Sequence, residues 1–381
     1  MNKTRVWRVV NNEWSKRFQT RRTLLCGLAS TFVPGALARA TGQESRVTPY
    51  AQVLPGRALA FPRAYGSHPD FRVEWWYVTG IVEASQAPLG FQVTFFRARP
   101  ARDTDNPSRF APHQILIAHA AISDPARGRL LHQQRVARAG FGLAEALEKR
   151  TAVWIDDWRL EQNESDYLVR VFAGDEFALD LVLRAVQPPM LNGDAGYSRK
   201  GPRPDSASYY YSIPQLAVHG RVVRQGRAES VAGKAWLDHE WSSSYLDERA
   251  QGWDWIGINL DDGGALMAFR IRARDGTSFW AGATLRSPAG TVRTYAPAEV
   301  AFEAKRAWQS PRTSTRYPIA WRVRIGEDVY EVAPLMDDQE QDARSTAGTV
   351  YWEGAVHLLR GGKRVGAGYL ELTGYWRKLK L

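Results

Sequence analysis

The sequence SHPDFRVEWWYVTG, residues 67–80, sets three adjacent aromatic side chains next to a carboxylate. On a β-strand neighbouring side chains point to opposite faces, so Glu74 and Trp76 share one face while Trp75 and Tyr77 share the other. A strand of this kind is covered on both faces. It fits a central strand between a core and a second layer, and it also fits a strand of a closed barrel whose inner face meets a ligand.

Short runs of alternating apolar and polar residues make up most of the remaining chain. They are separated by Gly, Pro, Asn and Asp, which is typical of antiparallel β-structure. We predict a helix only at residues 143–149. The runs lie at residues 90–95, 115–122, 167–172, 177–183, 265–271, 321–325 and 350–359. The sequence therefore predicts an all-β protein.

Two parts of the chain repeat the same landmarks. Residues 76–99 contain WYVTGIV and FQVTFFRAR, and residues 255–274 contain WIGINL and LMAFRIRAR. Further along, Trp236-Leu237-Asp238 is matched by Tyr369-Leu370-Glu371, which belongs either to a degenerate copy or to a second pocket. A repeat that occurs twice at long period indicates two like domains. Closing each sheet into a barrel would remove its unpaired edges.

The repeat sets our predicted domain bounds. We expect a linker at residues 41–60, a first domain at 61–244 and a second domain at 245–381. The first forty residues are predicted to be an export signal. TRRTLL at residues 20–25, an apolar run through Ala36 and the small-residue site ARA resemble a twin-arginine signal.

The apolar run of this signal is too short for a permanent membrane span. We therefore predict cleavage, a periplasmic or secreted protein and no integral membrane segment afterwards, with an uncleaved anchor as the alternative. The first forty residues hold eight basic and one acidic side chain, which leaves only four of the net charge of +11 for the rest. No nucleic-acid partner is predicted. Cys26 is the one Cys of the chain and leaves with the signal, so no disulfide or thiol nucleophile is expected.

The densest polar cluster is GKAWLDHEWSSS, residues 233–244. Strand alternation puts Trp236, Asp238 and Glu240 on one face and His239 on the other. Two carboxyls beside a Trp can raise one pKa by repulsion and burial, which leaves an acid able to donate a proton near neutral pH. In the alternative, both carboxylates lie at a solvated strand end and pair with arginines.

Other site chemistries lack support in the sequence. No Gly-x-Ser-x-Gly elbow, phosphate loop or dinucleotide fingerprint is present, so we predict no nucleotide cofactor. His239 points away from its two acidic neighbours and has no second His near it in sequence. We therefore predict no metal site.

Six segments in a fixed order carry a resemblance to a known family. They are SHPDFRVEWWYVTG (67–80), AHAAISD (118–124), LNGDAGYSRKG (191–201), SYYYSIPQL (208–216), GKAWLDHEWSSSYL (233–246) and GWDWIGINLDDGGALMAFRIR (252–272). Together they resemble the secreted, lipocalin-like proteins grouped with carotenoid 1,2-hydratase (hydroxyneurosporene synthase), many of them known only as predicted secreted hydrolases. The resemblance runs from about residue 61 to the C-terminus.

This resemblance implies two lipocalin-like (calycin-type) antiparallel β-barrels in tandem and an apolar ligand. For the hydratases it implies addition of water across the terminal double bond of an acyclic isoprenoid chain. Asp238 is then the candidate acid and Trp236, where the hydratases carry Tyr, a wall that stabilises the cation. Tyr209 and Tyr211 fall where the hydratases carry a His and a Trp.

Five further residues are predicted to bind the ligand: Glu74, Trp76, His239, Glu240 and Trp241. We expect Glu74 and Trp76 on the cavity face of the first barrel, with Trp75 and Tyr77 packing elsewhere, between the two domains. The leading hypothesis is a hydro-lyase that acts on an isoprenoid- or lipid-like molecule. The alternatives are a periplasmic carrier without chemistry, which would partner a lipid-export transporter, and a secreted hydrolase.

Overall fold

The computed structural model describes residues 49–100, 108 and 110–379, so the predicted export signal lies outside the described residues. Within them the chain forms antiparallel strands and two single 3-10 turns, Arg63–Tyr65 and Pro297–Glu299. In this described part, no helix has the length and apolarity needed to cross a membrane.

Strands β1 to β13 form the first sheet. Their bounds are β1 Val73–Glu83, β2 Leu89–Ala98, β3 Ile115–Asp124, β4 Arg129–Arg138, β5 Ala144–Ala146, β6 Ala152–Ile155, β7 Trp158–Asn163, β8 Asp166–Ala173, β9 Phe177–Arg184, β10 Met190–Leu191, β11 Tyr197–Arg199, β12 Ala207–Arg224 and β13 Arg227–Ser244. The order across the sheet is β4-β3-β2-β1-β13-β12-β9-β8-β7-β6-β5, and β10 and β11 also pair with β12.

Strands β14 to β23 form the second sheet. Their bounds are β14 Ala250–Leu260, β15 Ala265–Ala273, β16 Ser278–Arg286, β17 Val292–Tyr295, β18 Val300–Gln309, β19 Arg316–Ile325, β20 Asp328–Pro334, β21 Glu340–Ala343, β22 Thr349–Arg360 and β23 Lys363–Leu372. The order is β17-β16-β15-β14-β23-β22-β20-β19-β18, and β21 pairs with β22.

The two sheets share one topology. In each, a four-strand meander is followed by the last strand of the repeat, so the central trio β1-β13-β12 corresponds to β14-β23-β22. The sequence repeat therefore reflects a repeated order of strands, and the chain changes sheet between Ser244 and Ala250. Both sheets belong to one compact unit, and the predicted domain bounds at 61–244 and 245–381 stay predictions.

The helix predicted at residues 143–149 is wrong. Ala144–Ala146 form β5, which pairs with β6, and Leu147 N donates to Ala152 O. Phe141, with φ of 60°, and two flanking glycines with positive φ turn the chain just before this segment. Seven residues are too few to hold a helix by themselves, so pairing with a neighbouring strand prevails.

The first sheet curls into a nearly closed barrel. Arg135 on β4 donates to Ile155 O at 3.2 Å and to Phe172 O at 3.3 Å, which ties one end of the sheet to strands at the other end. An apolar core fills the interior and includes the fully buried Trp76 and Trp158. The second sheet encloses its own apolar core around Trp321 and Trp352.

A third apolar cluster joins the two sheets, with Tyr77, Trp236 and Trp255 among its members. Polar contacts cross the same boundary, because Asn259 Nδ2 donates to Ala235 O at 3.1 Å. Gly257 allows this packing, since a Cβ built there would lie 2.3 Å from the Trp255 ring and 3.2 Å from the Trp236 ring of the first sheet. The outer face of β1 and β13 is therefore covered by the second sheet.

Candidate active site

A cavity of about 270 Å³ lies between the two sheets. Its walls are largely aromatic and carry a few acidic residues. The aromatic residues are Trp75, Tyr77, Phe96, Tyr210, Tyr245, Trp253, Trp255, Phe269 and Tyr351, and the acidic side chains that face the cavity are Asp238, Glu240, Glu353 and Glu371. A mostly apolar cavity with a few convergent polar groups is the usual form of a site for an apolar ligand.

Asp238 lies on β13 and is only 2% exposed. Its Oδ1 accepts hydrogen bonds from Ser212 Oγ and Trp236 Nε1, both at 2.6 Å, and its Oδ2 accepts one from Tyr210 Oη at 2.6 Å. Trp236 reaches Asp238 because residues two apart share a strand face. Burial raises the pKa of Asp238 to about 7, although the three donors favour the ionised form.

Tyr210 connects Asp238 to the second sheet. Its hydroxyl donates to Asp238 and accepts a hydrogen bond from Trp255 Nε1 at 3.0 Å. Because Trp255 lies on β14, the acid is held by donors from both sheets. The carboxyl is therefore fixed in position at the edge of the cavity.

Glu240 is neutralised by a neighbour. Lys200 Nζ lies 2.9 Å from Glu240 Oε1 and donates to Ser198 Oγ at 2.8 Å, and both members of the ion pair are buried. Ser208 also donates to Glu240. Burial raises the pKa of Glu240 and lowers that of Lys200. The predicted alternative, in which Asp238 and Glu240 lie at a solvated strand end, is therefore wrong.

Glu353 and Glu371 face each other across β22 and β23 and line the same cavity. Glu371 Oε2 accepts a hydrogen bond from Trp253 Nε1 at 3.0 Å. Burial raises the pKa of Glu371 to about 7, and burial together with the charge of Glu371 raises that of Glu353 well above its usual range. Glu371 thus belongs to the cavity of Asp238 and not to a second pocket.

The other predicted site residues lie on the opposite face of β1, β12 and β13, inside the first barrel. They are Glu74, Trp76, Tyr209, Tyr211, His239 and Trp241. Trp76 lies in the first barrel and Trp75 and Tyr77 lie between the two sheets, but the cavity is on the face of Trp75 and Tyr77, not on the predicted face of Trp76. The cause is the second sheet, which packs against the outer face.

The β12 residues that contact Asp238 are Tyr210 and Ser212, not Tyr209 and Tyr211. Ser212 lies directly opposite Asp238 in the strand register, and Tyr210 lies two residues away on the same face. Tyr209 and Tyr211 point into the first barrel, where the Tyr209 hydroxyl bonds Leu54. The structure does not bring them to the acid, and their catalytic role stays a prediction.

Glu74 is the centre of a buried ionic cluster. Its Oε1 accepts from His68 Nδ1 at 2.7 Å and His239 Nε2 at 2.8 Å, and its Oε2 accepts from Arg97 Nε at 2.7 Å. Burial alone would raise the pKa of Glu74, but Arg97 and His68 hold it well below its usual range. The ring of Trp76 stacks on His239 at 4.6 Å.

The ligand atoms of His68, Glu74 and His239 lie within 4.8 Å of one another, as a metal site would require. However, both oxygens of Glu74 are already hydrogen-bonded, and Arg97 supplies the positive charge. We therefore interpret these residues as an ion-paired cluster and assign no metal to them. This cluster could not be predicted from the sequence, because only the pairing of β1 with β13 brings His239 to His68 and Glu74.

The chain is similar to several known proteins. A family model described as AttH-like matches residues 52–375. A crystal structure of an AttH candidate from Nitrosomonas europaea is 52% identical, with a TM-score of 0.80, over 85% of this chain and 99% of that one. Among curated proteins, none matches the chain by sequence.

Two more distant structures share the fold. Kievitone hydratase from Nectria haematococca is 14% identical, with a TM-score of 0.63, over 87% of this chain and 98% of that one. CghA in complex with Sch210972 is 14% identical, with a TM-score of 0.50, over 80% and 89%. The predicted all-β, lipocalin-like architecture is confirmed. At this identity the two structures bear on the fold alone.

Proposed function

The chain belongs to the AttH-like family, and from this premise we propose that it is a hydratase acting on the end of an acyclic isoprenoid chain. Asp238 donates the proton. The observation that carries the proposal is a buried carboxyl, fixed by three donors at the edge of an aromatic cavity. The fold shared with kievitone hydratase supports it at the level of architecture.

Hydration of an unactivated alkene begins with transfer of a proton to the double bond. A carboxyl that donates this proton must be in its neutral form at the working pH. An ordinary Asp, with a pKa near 3.9, is almost fully ionised at pH 7. With a pKa of about 7, Asp238 keeps a large protonated fraction at neutral pH. An acid whose pKa lies near the operating pH is the effective kind.

The cation that follows protonation needs electron-rich surroundings. The rings of Tyr77 and Trp255 meet edge to face at 5.4 Å on the cavity wall, and Trp236 packs against Trp255 at 6.4 Å. Aromatic faces attract cations most strongly where water is excluded. Tyr210 is a positioning residue, since its hydroxyl holds Asp238 Oδ2.

The size of the cavity limits the substrate. A volume of about 270 Å³ lies just below the roughly 300–1,000 Å³ of pockets that enclose drug-sized ligands. The cavity is therefore suited to the end of a long chain or to a short isoprenoid. We also propose that the reaction takes place after export, because residues 1–40 resemble a twin-arginine signal.

The test is a product analysis. The purified protein, its Asp238→Asn variant and an Asp175→Asn control are incubated with lycopene or geranylgeraniol, and the extracts are compared by mass spectrometry. Asp175 is exposed and lies outside the cavity. We expect a product heavier by one water from the wild type and the control only. If all three samples contain bound but unaltered ligand, the protein is a carrier and not a hydratase.

A further inference from the structure

Hydration needs a second group, which holds the attacking water and takes its proton. The cavity offers two candidates besides the acidic pair Glu353–Glu371. Glu240 is held in its ion pair with Lys200. His119 has both ring nitrogens bonded, to Tyr351 Oη at 2.6 Å and Thr346 Oγ1 at 2.9 Å, and burial lowers its pKa to about 3.

Glu353 differs from these groups because one of its carboxyl oxygens is buried without a hydrogen-bond partner. Glu353 Oε1 and Tyr77 Oη are both buried, and neither makes a hydrogen bond of normal geometry. The Tyr77 hydroxyl nevertheless lies close enough to act as a hydrogen-bond donor toward the Glu353 carboxyl, which lowers the pKa of Glu353 against the larger effect of burial. A buried polar atom without a partner is costly, and a bridging water satisfies two such atoms at once. A water between Tyr77 and Glu353 would satisfy both atoms, which makes this the candidate water site of the cavity.

This water site lies beside the acid. Tyr77 is the cross-strand partner of Asp238, so the hydroxyl that would hold the water comes from the residue next to the proton donor. Asp238 stands on the wall made by the first sheet, and Glu353 and Glu371 stand on the wall made by the second. A substrate between the walls would meet the acid and the Tyr77 hydroxyl on the first wall and the two carboxyls on the second.

We propose that the Glu353–Glu371 pair, with the Tyr77 hydroxyl, binds the attacking water and accepts its proton. The inference rests on the hydratase function proposed above. The two carboxyls are direct cross-strand partners on one face, and their surroundings are apolar. Both conditions disfavour two negative charges at this position. Burial and mutual repulsion favour a pair that holds one proton, and its ionised member is the base.

The O–H bond of Asp238 breaks, and its proton forms a C–H bond with the electron pair of the alkene, which leaves a tertiary cation. The water oxygen forms a C–O bond to this cation, and one O–H bond of the water breaks. That proton passes to the Glu353–Glu371 pair. The product is a tertiary alcohol, and exchange with solvent returns the pair's proton to Asp238.

The test is carried out in D₂O with geranylgeraniol as the probe. The proteins are the wild type and its Asp238→Asn, Glu353→Gln and Glu371→Gln variants, with Glu327→Gln as an exposed control. Loss of a general base costs about 10²–10⁴ in rate. We expect each variant of the pair to form alcohol at least about tenfold more slowly. Deuterium should still appear in the recovered alkene, because the cation then returns a proton from carbon to the Asp238 carboxylate.

Three distinguishable results would overturn either this inference or the hydratase function on which it rests. Alcohol formed at the wild-type rate by both variants of the pair removes their role. Loss of alcohol together with loss of deuterium exchange assigns the pair to substrate binding or to structure. No alcohol from the wild type refutes the hydratase itself. Thermal unfolding of each variant, with Glu371→Asp to restore a carboxyl, separates misfolding from lost chemistry.

Discussion

The hydroxyl of Tyr210 lies 2.6 Å from Asp238 Oδ2 and donates a hydrogen bond to it. The same hydroxyl accepts the indole N–H of Trp255 at 3.0 Å. One side chain of the first sheet thus joins the acid of that sheet to a ring of the second. The acid is consequently sensitive to how the two sheets pack.

Removal of this hydroxyl should change both stability and acidity. In Tyr210→Phe, Asp238 loses a donor to its ionised form, and the buried Trp255 N–H loses its acceptor. We expect the pKa of Asp238 to rise further, so that turnover extends to higher pH, and the free energy of unfolding to fall by about 1–3 kcal/mol. Urea unfolding and a pH profile of turnover measure these effects.

The matched control is Tyr197→Phe, which removes a tyrosine hydroxyl bonded to Pro204 O, outside the cavity. Its pH profile should equal that of the wild type. A Tyr210→Phe profile identical to the wild type would show that this hydroxyl does not act on the acid.

The raised pKa values of Asp238 and Glu371 predict how stability depends on pH. Both values are about 7 in the folded protein, against ordinary values of 3.8 and 4.5. In that window the folded state binds more protons than the unfolded state, so each group makes the protein less stable as pH rises. The full effect is about 1.4 kcal/mol per pH unit for each group.

Two histidines act in the opposite direction below pH 6.5, because burial lowers the pKa of His239 to about 4 and that of His119 to about 3. The Asp238 contribution is therefore measured as a difference. The unfolding free energies of the wild type and Asp238→Asn are compared at pH 5 and pH 7. We expect the variant to lose less stability over this interval, and equal losses would contradict a raised pKa.

Much of the fold was predictable from local patterns. Alternation along β13 placed Trp236, Asp238 and Glu240 on one face, and the structure has them so. The repeat of Trp236-Leu237-Asp238 at Tyr369-Leu370-Glu371 anticipated the equivalence of β13 and β23. Alternation and repetition can be read from the sequence itself, so the strands and their equivalence can be predicted without knowledge of tertiary contacts.

The site was less predictable because it depends on strand register and on packing between the sheets. Which tyrosine of residues 209–211 meets Asp238 follows from the pairing of β12 with β13, where the register shifts between Ala207 and Tyr209. Glu353 carries no local signal, and only the pairing of β22 with β23 brings it to Glu371. Glu74 meets His239 across 165 positions of sequence.

Glu74 should be essential for stability and not for chemistry. Glu74→Gln leaves the buried Arg97 guanidinium without its counter-ion, and breaking a buried pair in this way costs about 3–5 kcal/mol. We expect a loss of this size in urea unfolding. The double variant Glu74→Gln, Arg97→Met should recover part of it, and a single-variant loss under 1 kcal/mol would contradict the buried ion pair.

The mouth of the cavity offers a test of binding that leaves the acids untouched. Ala347 lies in the turn between β21 and β22 and lines the cavity, and it is partly exposed, so a larger side chain there meets the cavity and not the packed core. In Ala347→Trp the indole should occupy space that the ligand needs, and affinity for geranylgeraniol should fall at least about tenfold, or 1.4 kcal/mol. The aromatic walls supply the readout, since quenching of tryptophan fluorescence on titration gives the dissociation constant.

The control is Ala298→Trp, at an exposed turn outside the cavity, which adds the same fluorophore without filling the cavity. Equal affinities of the two variants would place the ligand elsewhere in the molecule, whereas a selective loss in Ala347→Trp ties binding to the space between the two sheets.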